Sequence, residues 1–579
     1  MKKVFEHKWG WLVLIVAFVA VNLLASILHT KFDLTKEKRY TITSTTKNLL
    51  KKLDDKLEVQ VFLSGDLPSG FQKLATTTKD FLQVLKESNS SKISYRFIAP
   101  ETDMEDANIK YGDTLVSLGA TPINLTVQIK QGQQSKVVFP YALVKYHEEE
   151  ILVNLYSGGK RVITPAEMNS AESMMEYNFA KTLNSLINVE KPLVAYAIGN
   201  GEPGLAGLTP SGNLMNPATF DLASILRKDY QVFTFDISKR AFIPDTFKVL
   251  MMVKPTLEFN DEEKLKMDQY LMRGGKIVCF IDNLNAEMDS LRMGKRELIA
   301  YDRNLNLTDF FFKYGVRINT DLVMDLQCDF LPQLVGGTKE NPQIEFLPWN
   351  YYPWFESKNN HPINKNLGLV GGRFVNSIDT VKATDVSKTI LLSSSANSRK
   401  LGTPALISFN ENKLTPEDAL FKQKDIPVAV LLEGNFTSLY RNRIAQNQVD
   451  TLKAKGFNYL PEGNGQGKLI VVSDGDMVIN DFNQKDGPLS MGTNKFTFGS
   501  KYEYQLANRD FLLNSLEYLT SNTSLMNTRN KEVVLRLLNK EKVEAEKLQW
   551  QIINIGLPLI VVVLCGFAYQ VIRRKKYAA

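Results

Sequence analysis

Two short motifs have residue types that could do chemistry, and each follows an apolar run typical of a β-strand. The first has the spacing G-x-G-x-x-G and is formed by Gly199, Asn200, Gly201, Glu202, Pro203 and Gly204. A dinucleotide site with this spacing needs a helix that starts at the motif, so that its backbone amides hold the pyrophosphate. Here a proline interrupts the motif, and the next helical pattern begins only at Ala218. The sequence therefore favours a turn at the carboxyl edge of a sheet over a nucleotide site.

The second motif places two carboxylates, Asp474 and Asp476, directly after another strand-like run. Two carboxylates at this spacing could hold a cation. Asp and Gly are also the residues that a tight turn prefers. We therefore interpret this motif too as a sheet-edge turn and predict no metal site.

The sequence contains no motif that predicts a nucleophilic side chain beside a catalytic base. A reactive Cys or Ser needs a sharp strand-to-helix elbow and a nearby base. Cys279 lies in the middle of a strand-like run, and neither G-x-S-x-G nor a Walker motif occurs. The only histidines are His7, His29, His147 and His361. We predict a protein that is not an enzyme, with no catalytic residues and no cofactor, whose energy source would be another chain.

An aromatic segment at 346–355 holds two of the five tryptophans. Trp and Tyr dominate binding hot spots, so this segment is a candidate surface for a partner or ligand. It could equally fill a core as an irregular loop. The candidate surface residues are Trp349, Tyr351, Tyr352, Trp354 and Phe355.

Alternating strand and helix patterns predict an α/β body of several domains that must position these motifs. We predict a small N-terminal α/β domain (31–158), a doubly wound α/β domain (160–300), an elaboration of it (301–460), a return to it (461–522) and a helical stalk (530–550). The stalk suits either a solvated helix or one that packs on a partner. Capping-box patterns at Thr164 and Asn260 predict two helix starts. Residues 136–144 are predicted as one strand, and residues 333–366 as an irregular loop.

Two uncharged apolar stretches are each long enough to cross a bilayer. The predicted transmembrane helices are 9–28 and 551–572. The first could instead be a cleaved signal peptide, but its apolar run is longer than a signal core and no clear cleavage site follows. The tail 573–579 is strongly basic, which marks the cytoplasmic side. We therefore predict a two-pass protein of the inner membrane, with residues 1–8 and the tail in the cytoplasm and the body in the periplasm.

The formal net charge of +7 is concentrated at the two ends and in the flank of the first apolar stretch. A nucleic-acid-binding protein carries a basic face on its folded domain, so we predict no nucleic-acid partner. Basic residues beside apolar stretches are typical of membrane flanks. Three cysteines in the whole chain exclude a disulfide scaffold.

Several stretches together resemble the auxiliary extracytoplasmic subunits of ABC transporters, and within them the gliding-motility (GldG) group. The stretches that carry the resemblance are 32–41, 61–68, 313–319, 348–355 with 360–362, and 508–511. The resemblance implies a substrate-binding-like subunit that works with a separate ABC permease subunit and ABC ATPase subunit, and a central glutamine-amidotransferase-like α/β fold that lacks the nucleophile. Many relatives carry Gly-His-Gly-Glu where this chain has Asn200 in place of the histidine, so the one residue there that hinted at chemistry is missing.

The sequence as a whole predicts a non-enzymatic auxiliary subunit of an ABC transporter complex involved in gliding motility, and it does not identify the ligand. The alternative is an envelope ligand-binding or sensor protein that recognises a glycan or a protein partner.

Overall fold

The computed structural model describes residues 15–16, 18–20, 22, 41–104, 107–129, 132–156, 163–188, 190–293, 297–338, 340–411, 418–454, 456–520, 525–530 and 540–577. The chain forms two compact units, Met1–Lys531 and Glu532–Ala579. Residues 1–8, most of the predicted first transmembrane helix and the first part of the predicted stalk lie outside the described residues.

The N-terminal part of the first unit is a four-stranded sheet covered by helices, with its strands in the order Ile93–Phe97, Leu57–Val61, Tyr141–Tyr146 and Glu149–Asn154. Its helices are α1 (Ser44–Lys51), α2 (Ser69–Ser88), α3 (Tyr111–Ser117) and α4 (Pro165–Ile187). Its strands are β1 (Leu57–Val61), β2 (Ile93–Phe97), β3 (Asp103–Met104), β4 (Ala107–Lys110), β5 (Ile123–Ile129), β6 (Gly132–Val138), β7 (Tyr141–Tyr146) and β8 (Glu149–Asn154). Helix α4 starts with the predicted capping box of Thr164 and Glu167.

The prediction of one strand over 136–144 is wrong, because β6 ends at Val138 and β7 begins at Tyr141. Pro140 lies between them and has no N–H to donate to a ladder, so it separates the strands. β6 pairs with β5 as a hairpin, whereas β7 pairs with β1 in the main sheet.

Residues 190–530 form a second, larger α/β arrangement. Its helices are α5 (Phe220–Asp229), α6 (Asp261–Met272), α7 (Met288–Met293), α8 (Thr308–Tyr314), α9 (Gln446–Ala454) and α10 (Asn508–Thr520). Its first strands are β9 (Leu193–Ile198), β10 (Gly207–Leu208), β11 (Leu214–Met215), β12 (Gln231–Asp236), β13 (Val249–Val253), β14 (Lys276–Phe280), β15 (Leu284–Asn285), β16 (Glu297–Asp302), β17 (Val316–Ile318), β18 (Asp321–Asp325) and β19 (Cys328–Gly337). The others are β20 (Pro342–Phe355), β21 (Val370–Gly371), β22 (Ile378–Thr380), β23 (Val386–Ser393), β24 (Ser398–Gly402), β25 (Ala405–Ser408), β26 (Pro427–Gly434), β27 (Lys468–Val472), β28 (Phe482–Asn483) and β29 (Gly487–Pro488).

The centre of this arrangement is a seven-stranded sheet with the order β12-β9-β13-β14-β27-β26-β23. The first five strands in this order, β12, β9, β13, β14 and β27, pair in parallel. β26 and β23 add antiparallel pairs at one side of the sheet. Helices cover both faces: α5 and α10 pack on one, α6 and α8 on the other. Because both faces are covered, the central strands are apolar throughout, as in β13, where all five residues are buried.

The segment 333–366, predicted as an irregular loop, is largely a long antiparallel hairpin of β19 and β20. β20 contains three prolines, and one of them, Pro353, lies opposite Cys328, where the register shifts before Asp329. Aromatic residues suit a pleated surface, so the strand forms despite its prolines.

Helix α11 (Lys540–Tyr577) makes up the described part of the second unit. Within it, Glu546–Lys575 is long and apolar enough to cross a membrane, with a mean hydropathy of 2.3 over its most apolar window. This candidate membrane helix contains the predicted second span at 551–572.

Candidate functional site

The order of the central strands brings the ends of four segments to one edge of the sheet. β9 lies between β12 and β13, so the strand order reverses there, and parallel α/β sheets bind ligands at such a point. Gly199 follows β9, Lys254 follows β13, Asp282 lies just after β14 and Asp474 just after β27. The carboxyl edge therefore collects residues far apart in sequence.

The glycine-rich motif is a turn at this edge, and it fills the crevice between β9 and β13. Gly199 and Gly201 have left-handed φ angles of 121° and 78°. The carbonyl of Asn200 accepts hydrogen bonds from the amides of Thr256 and Leu257, at 2.9 Å each. The next helix along the chain, α5, begins only at Phe220, so the motif does not lead directly into a helix.

The Asn200 side chain is buried under this turn. Its Nδ2 donates to the carbonyl of Glu258 at 3.2 Å and to Oε2 of Glu263 at 3.0 Å. Burial raises the pKa of Glu202, whose Oε2 accepts the backbone N–H of Asn200 at 2.8 Å. These contacts occupy the crevice with the chain's own polar groups.

Next to this crevice, Lys254 stands at the centre of a charged cluster. Its Nζ lies 2.5 Å from Asp476, 3.0 Å from Glu287 and 3.3 Å from Asp282. Burial alone would lower the pKa of Lys254, but the three carboxylates hold it well above its usual value. Lys254 has a φ of 47°, a strained conformation for a residue with a side chain.

Asp474 is fully buried and binds two backbone amides. Its Oδ2 accepts from the amide of Arg373 at 2.8 Å, and its Oδ1 from the amide of Asp476 at 2.7 Å. Burial, together with the neighbouring carboxylates of Asp282 and Asp476, raises the pKa of Asp474 well above its usual value. In the part of the chain that the structure describes, no group of three His, Cys, Asp or Glu residues is placed to hold a metal ion.

Arg373 connects this cluster to the hairpin of β19 and β20. Its guanidinium forms a bidentate pair with Asp481, at 2.9 and 2.7 Å, and lies 5.3 Å from the ring centre of Tyr352. Burial opposes its charge, but Asp481 raises its pKa well above the usual value. The sequence did not predict a role for Arg373, since it follows two glycines and lies in no recognisable motif.

A small cavity of about 30 Å³ opens beside Arg373. Its lining is formed by Asp329, Tyr352, Trp354, Gly371, Gly372, Arg373, Asp476, Ile479, Gly492, Thr493, Asn494, Leu506 and Asn508. The turn after β27, the end of β20, the loop before α10 and the first residue of α10 therefore meet at one place. A volume of this size admits roughly two or three water-sized groups.

Comparison with known proteins identifies the family. A family model described as an ABC-type uncharacterized transport system matches residues 191–515, which include the whole carboxyl edge of the central sheet. The chain belongs to this family. A second model, a domain of unknown function (DUF7088), matches residues 36–145 in the N-terminal domain. Membership of the ABC-type transport auxiliary family supports a role associated with an ABC transporter.

Two curated relatives are similar to parts of this family member. An uncharacterized protein of Borreliella burgdorferi is 22% identical over 433 residues, which cover 73% of this chain and 76% of the relative. A protein of Psychrobacter sp. (strain PRwf-1), named as a nucleotide-binding protein, is 23% identical over 243 residues, which cover 33% of this chain and 77% of the relative.

Two solved structures are distantly similar to the chain. The mmIFT52 N-terminal domain aligns with a TM-score of 0.30 and 13% identity, covering 57% of this chain and 98% of that domain. An exo-β-1,4-mannosidase from Opitutaceae bacterium strain TAV5 aligns with a TM-score of 0.20 and 11% identity, covering 54% of this chain and 39% of that one. Both TM-scores are too low to support an argument about this ABC-type auxiliary chain.

The aromatic segment at 346–355 lies mainly in the core of the protein. Four of the five candidate surface residues are at most 3% exposed, namely Trp349, Tyr351, Tyr352 and Phe355. Trp354 is partly exposed and stacks on Tyr504, with ring centres 5.3 Å apart and an interplanar angle of 24°. Only this end of the segment is placed to contact a ligand.

Cys279 is fully buried in β14, and burial raises the pKa of its thiol. A thiol that resists ionisation is a poor nucleophile. Burial also lowers the pKa of His361, which packs edge-on against Tyr518. The structure does not bring either residue together with the charged cluster around Lys254.

Proposed function

We propose that this family member is a non-enzymatic auxiliary subunit of an ABC transporter complex, held by a membrane anchor at each end, with its body outside the cytoplasm. The match to the transport family over residues 191–515 and the candidate membrane helix in α11 support the proposal. The observation that carries the two-anchor arrangement is the meeting of both ends of the body at α4.

The start of the body is tied to α4 through Glu176. The backbone N–H of Thr43 and the hydroxyl of Thr46 both donate to Oε1 of Glu176, at 2.7 Å each. Thr43 also caps α1. These are among the first described residues after the predicted first span.

The end of the body is tied to the next residue of α4, Tyr177. The guanidinium of Arg529 lies 4.0 Å from the centre of the Tyr177 ring and donates to Asn514 at 2.5 Å. The Tyr177 hydroxyl in turn donates to Glu517 of α10. Leu525, just before Arg529, belongs to the N-terminal core cluster.

Residues 43–46 and 525–530, the described parts of the body nearest in sequence to the two proposed anchors, thus contact the same helix, which is compatible with an anchor at each end. The basic residues at the end of α11, Arg573 to Lys576, favour a cytoplasmic C-terminus. Two spans then place the N-terminus on the same side and the body in the periplasm.

The state of the charged groups supports a role without catalysis. Lys254, Arg373 and Asp481 are engaged in internal ion pairs, and Asp474 is held by amides. Such groups stabilise the edge of the sheet and are not poised to attack a substrate. The nucleotide-binding name of the Psychrobacter relative is not carried over, because the glycine-rich turn of this chain is filled by its own side chains.

The finer proposal is that the partners are an ABC permease and an ABC ATPase, in a complex that serves gliding motility. The sequence resemblance supports it, and so does the lack of a Walker motif, which leaves ATP hydrolysis to another chain.

Affinity purification of the tagged full-length chain from membranes in mild detergent tests the proposal. We expect a permease and an ATPase to co-purify. An Arg529→Ala variant, which frees the end of the body from α4, should lose much of that partner yield, whereas Arg441→Ala in the exposed pair with Glu462 should keep it. Recovery of the wild-type chain without either partner would refute the proposed complex.

A topology reporter at the C-terminus tests the anchors. We expect cytoplasmic signals from fusions at residue 579 and at residue 1, and a periplasmic signal from a reporter inserted at the exposed Gly465. A periplasmic C-terminus would contradict the two-anchor arrangement.

A further inference from the structure

The turn formed by residues 361–364 binds Arg529, which lies in the last described segment of the body before α11. The carbonyl of Pro362 accepts a hydrogen bond from Nη1 of Arg529 at 3.2 Å. The carbonyl of Ile363 accepts one from Nδ2 of Asn514 at 2.8 Å, and Oδ1 of Asn514 in turn accepts from Arg529. The turn therefore helps to hold the end of the body.

This turn closes on the side chain of His361. The backbone N–H of Ile363 donates to Nδ1 of His361 at 3.3 Å, so that ring nitrogen must carry a lone pair. The carbonyl of His361 also accepts from the amides of Asn364 and Lys365, at 2.8 and 3.0 Å. A neutral imidazole has one acceptor nitrogen, whereas both nitrogens of the protonated ring are donors. The observed turn therefore requires a neutral His361.

The surroundings of His361 also disfavour a positive charge. Its ring is partly buried and packs edge-on against Tyr518 of α10, with ring centres 4.8 Å apart. The ammonium of Lys468 in β27 lies 3.9 Å from the centre of the same Tyr518 ring, and Arg529 adds a second positive charge beside the turn. Glu433 of β26 would favour a charge on the ring, but its Oε1 already accepts from Lys468 and from the Tyr518 hydroxyl, at 2.8 Å each. Burial lowers the pKa of His361 despite the opposing effect of Glu433.

We propose that the turn at 361–364 is a proton-sensitive contact on the end of the body: a proton from solvent that binds Nδ1 of His361 breaks its hydrogen bond with Ile363 and loosens the hold of the turn on Arg529. Acid outside the cytoplasm would then weaken the position of the segment that precedes α11. That consequence for the complex rests on the proposed function, whereas the protonation step rests only on the contacts of His361.

The turn should open as the pH falls. A histidine whose pKa is lower in the closed turn than in the open one binds fewer protons when the turn is closed. The closed turn is therefore favoured above about pH 6.5, the ordinary pKa of histidine, and this advantage is lost as the pH falls further. One proton changes the opening equilibrium by at most about tenfold per pH unit.

Hydrogen exchange of the full-length chain in detergent, between pH 7.5 and pH 5.0 and corrected for the intrinsic exchange rate at each pH, tests the proposal. We expect the protection of peptides that cover 361–365 and 525–530 to fall together, by about twofold or more, while buried β13 stays unexchanged. A fall confined to 361–365 would show that the turn does not hold Arg529. Equal exchange in β13 would show general unfolding in acid. Either result, or constant protection at all pH values, would overturn the inference.

His361→Asn separates the charge from the structure, because the Asn Oδ1 replaces Nδ1 as the acceptor and does not titrate. Both peptides should then keep their protection across the pH range, and a pH dependence equal to that of the wild type would refute the proposal. His147→Asn is the matched control, since His147 is 50% exposed at the turn between β7 and β8, and it should respond like the wild type. If circular dichroism shows that His361→Asn does not fold, His361→Gln is a second variant without a titrating group and should also remove the pH dependence.

Affinity purification at pH 7.5 and pH 5.5 separates this inference from the proposed function. We expect the yield of permease and ATPase to be lower at pH 5.5 for the wild type but not for His361→Asn. Equal yields of both partners at the two pH values would remove the regulation and leave the proposed complex intact. Recovery of neither partner at either pH, with the exchange results as expected, would refute the complex and leave the proton-sensitive contact.

Discussion

Two openings at the same edge of the central sheet have opposite contents. The crevice between β9 and β13, where the strand order reverses, is the usual place for a ligand in a doubly wound fold. Here Asn200 and its neighbours fill it. The cavity between the turn after β27 and the end of β20 is partly open, and Trp354 and Arg373 are among the residues that line it.

The difference shows that topology alone does not locate a site. The crevice at the reversal point has a structural role in this chain. In a dinucleotide site a glycine-rich motif holds a phosphate, whereas here the motif forms hydrogen bonds with the backbone of the chain itself. The cavity is lined in part by the hairpin of β19 and β20, which lies outside the central sheet. Arg373 and Asp474 fasten that hairpin to the sheet.

Of the variants that test this comparison, Arg373→Ala should cause the largest loss of stability. The change leaves Asp481, which is 7% exposed, without its bidentate partner, and we expect a loss of about 3 kcal/mol in the free energy of unfolding. Thermal unfolding in detergent, followed by the near-ultraviolet signal, measures it.

The control is Arg441→Ala in the pair of Arg441 and Glu462, where both side chains are 50% exposed. A pair of that kind contributes about 0–1 kcal/mol. Equal losses in the two variants would show that Arg373 does not hold the hairpin to the sheet.

The mixed α/β class and much of the central sheet could be predicted because strong local signals agree there. The apolar runs at 193–198 and 249–253 form β9 and β13, and both predicted capping boxes are present. Buried parallel strands read as continuous apolar runs, and helix caps are set by residues three apart. Both features depend only on residues that are close together in the chain, so they can be recognised in a single sequence.

The hairpin of β19 and β20 could not be predicted from the aromatic segment, since prolines and bulky rings gave no alternation that fits a strand. The residues that line the cavity were not predicted, for a different reason. Asp329, Arg373 and Asn494 come from three distant segments, and only the fold brings them together. One signal was available: Lys254 and Asp282 each follow an apolar, strand-like run, and the ends of parallel strands share an edge.

A second, smaller effect should come from Gly201→Ala in the filled crevice. Gly201 has a φ of 78°, and an added Cβ would lie 2.1 Å from Oγ1 of Thr256 and 3.1 Å from Cγ of Leu257. We expect a loss of about 2 kcal/mol in the free energy of unfolding, from strain plus overlap.

Gly65→Ala is the matched control for this change. Gly65 has a φ of 98° but open space around the added atom, so it reports the cost of the backbone alone, about 1 kcal/mol. If Gly201→Ala costs no more than Gly65→Ala in thermal unfolding, the crevice is not tightly filled and remains available to a ligand.

The third effect is the pH dependence of stability that arises from the charged cluster around Lys254. Burial, more than the opposing charge of Lys254, raises the pKa of Asp282 from 3.8 to about 6. A carboxyl whose pKa is higher in the folded state binds protons more tightly there. Its contribution to stability is therefore complete below about pH 4 and is lost as the pH rises through about 6.

We expect the wild type to lose on the order of 2 kcal/mol between pH 4.5 and pH 7 through this group, and Asp282→Asn to remove that part of the slope. Urea unfolding at a series of pH values measures the difference. Asp486→Asn, which removes one exposed carboxylate, is the control. A slope in Asp282→Asn equal to that of the wild type would mean that Asp282 is as well solvated as a surface residue. The cluster would then be an open, water-filled part of the site, and the contrast between a sealed crevice and a separate cavity would disappear.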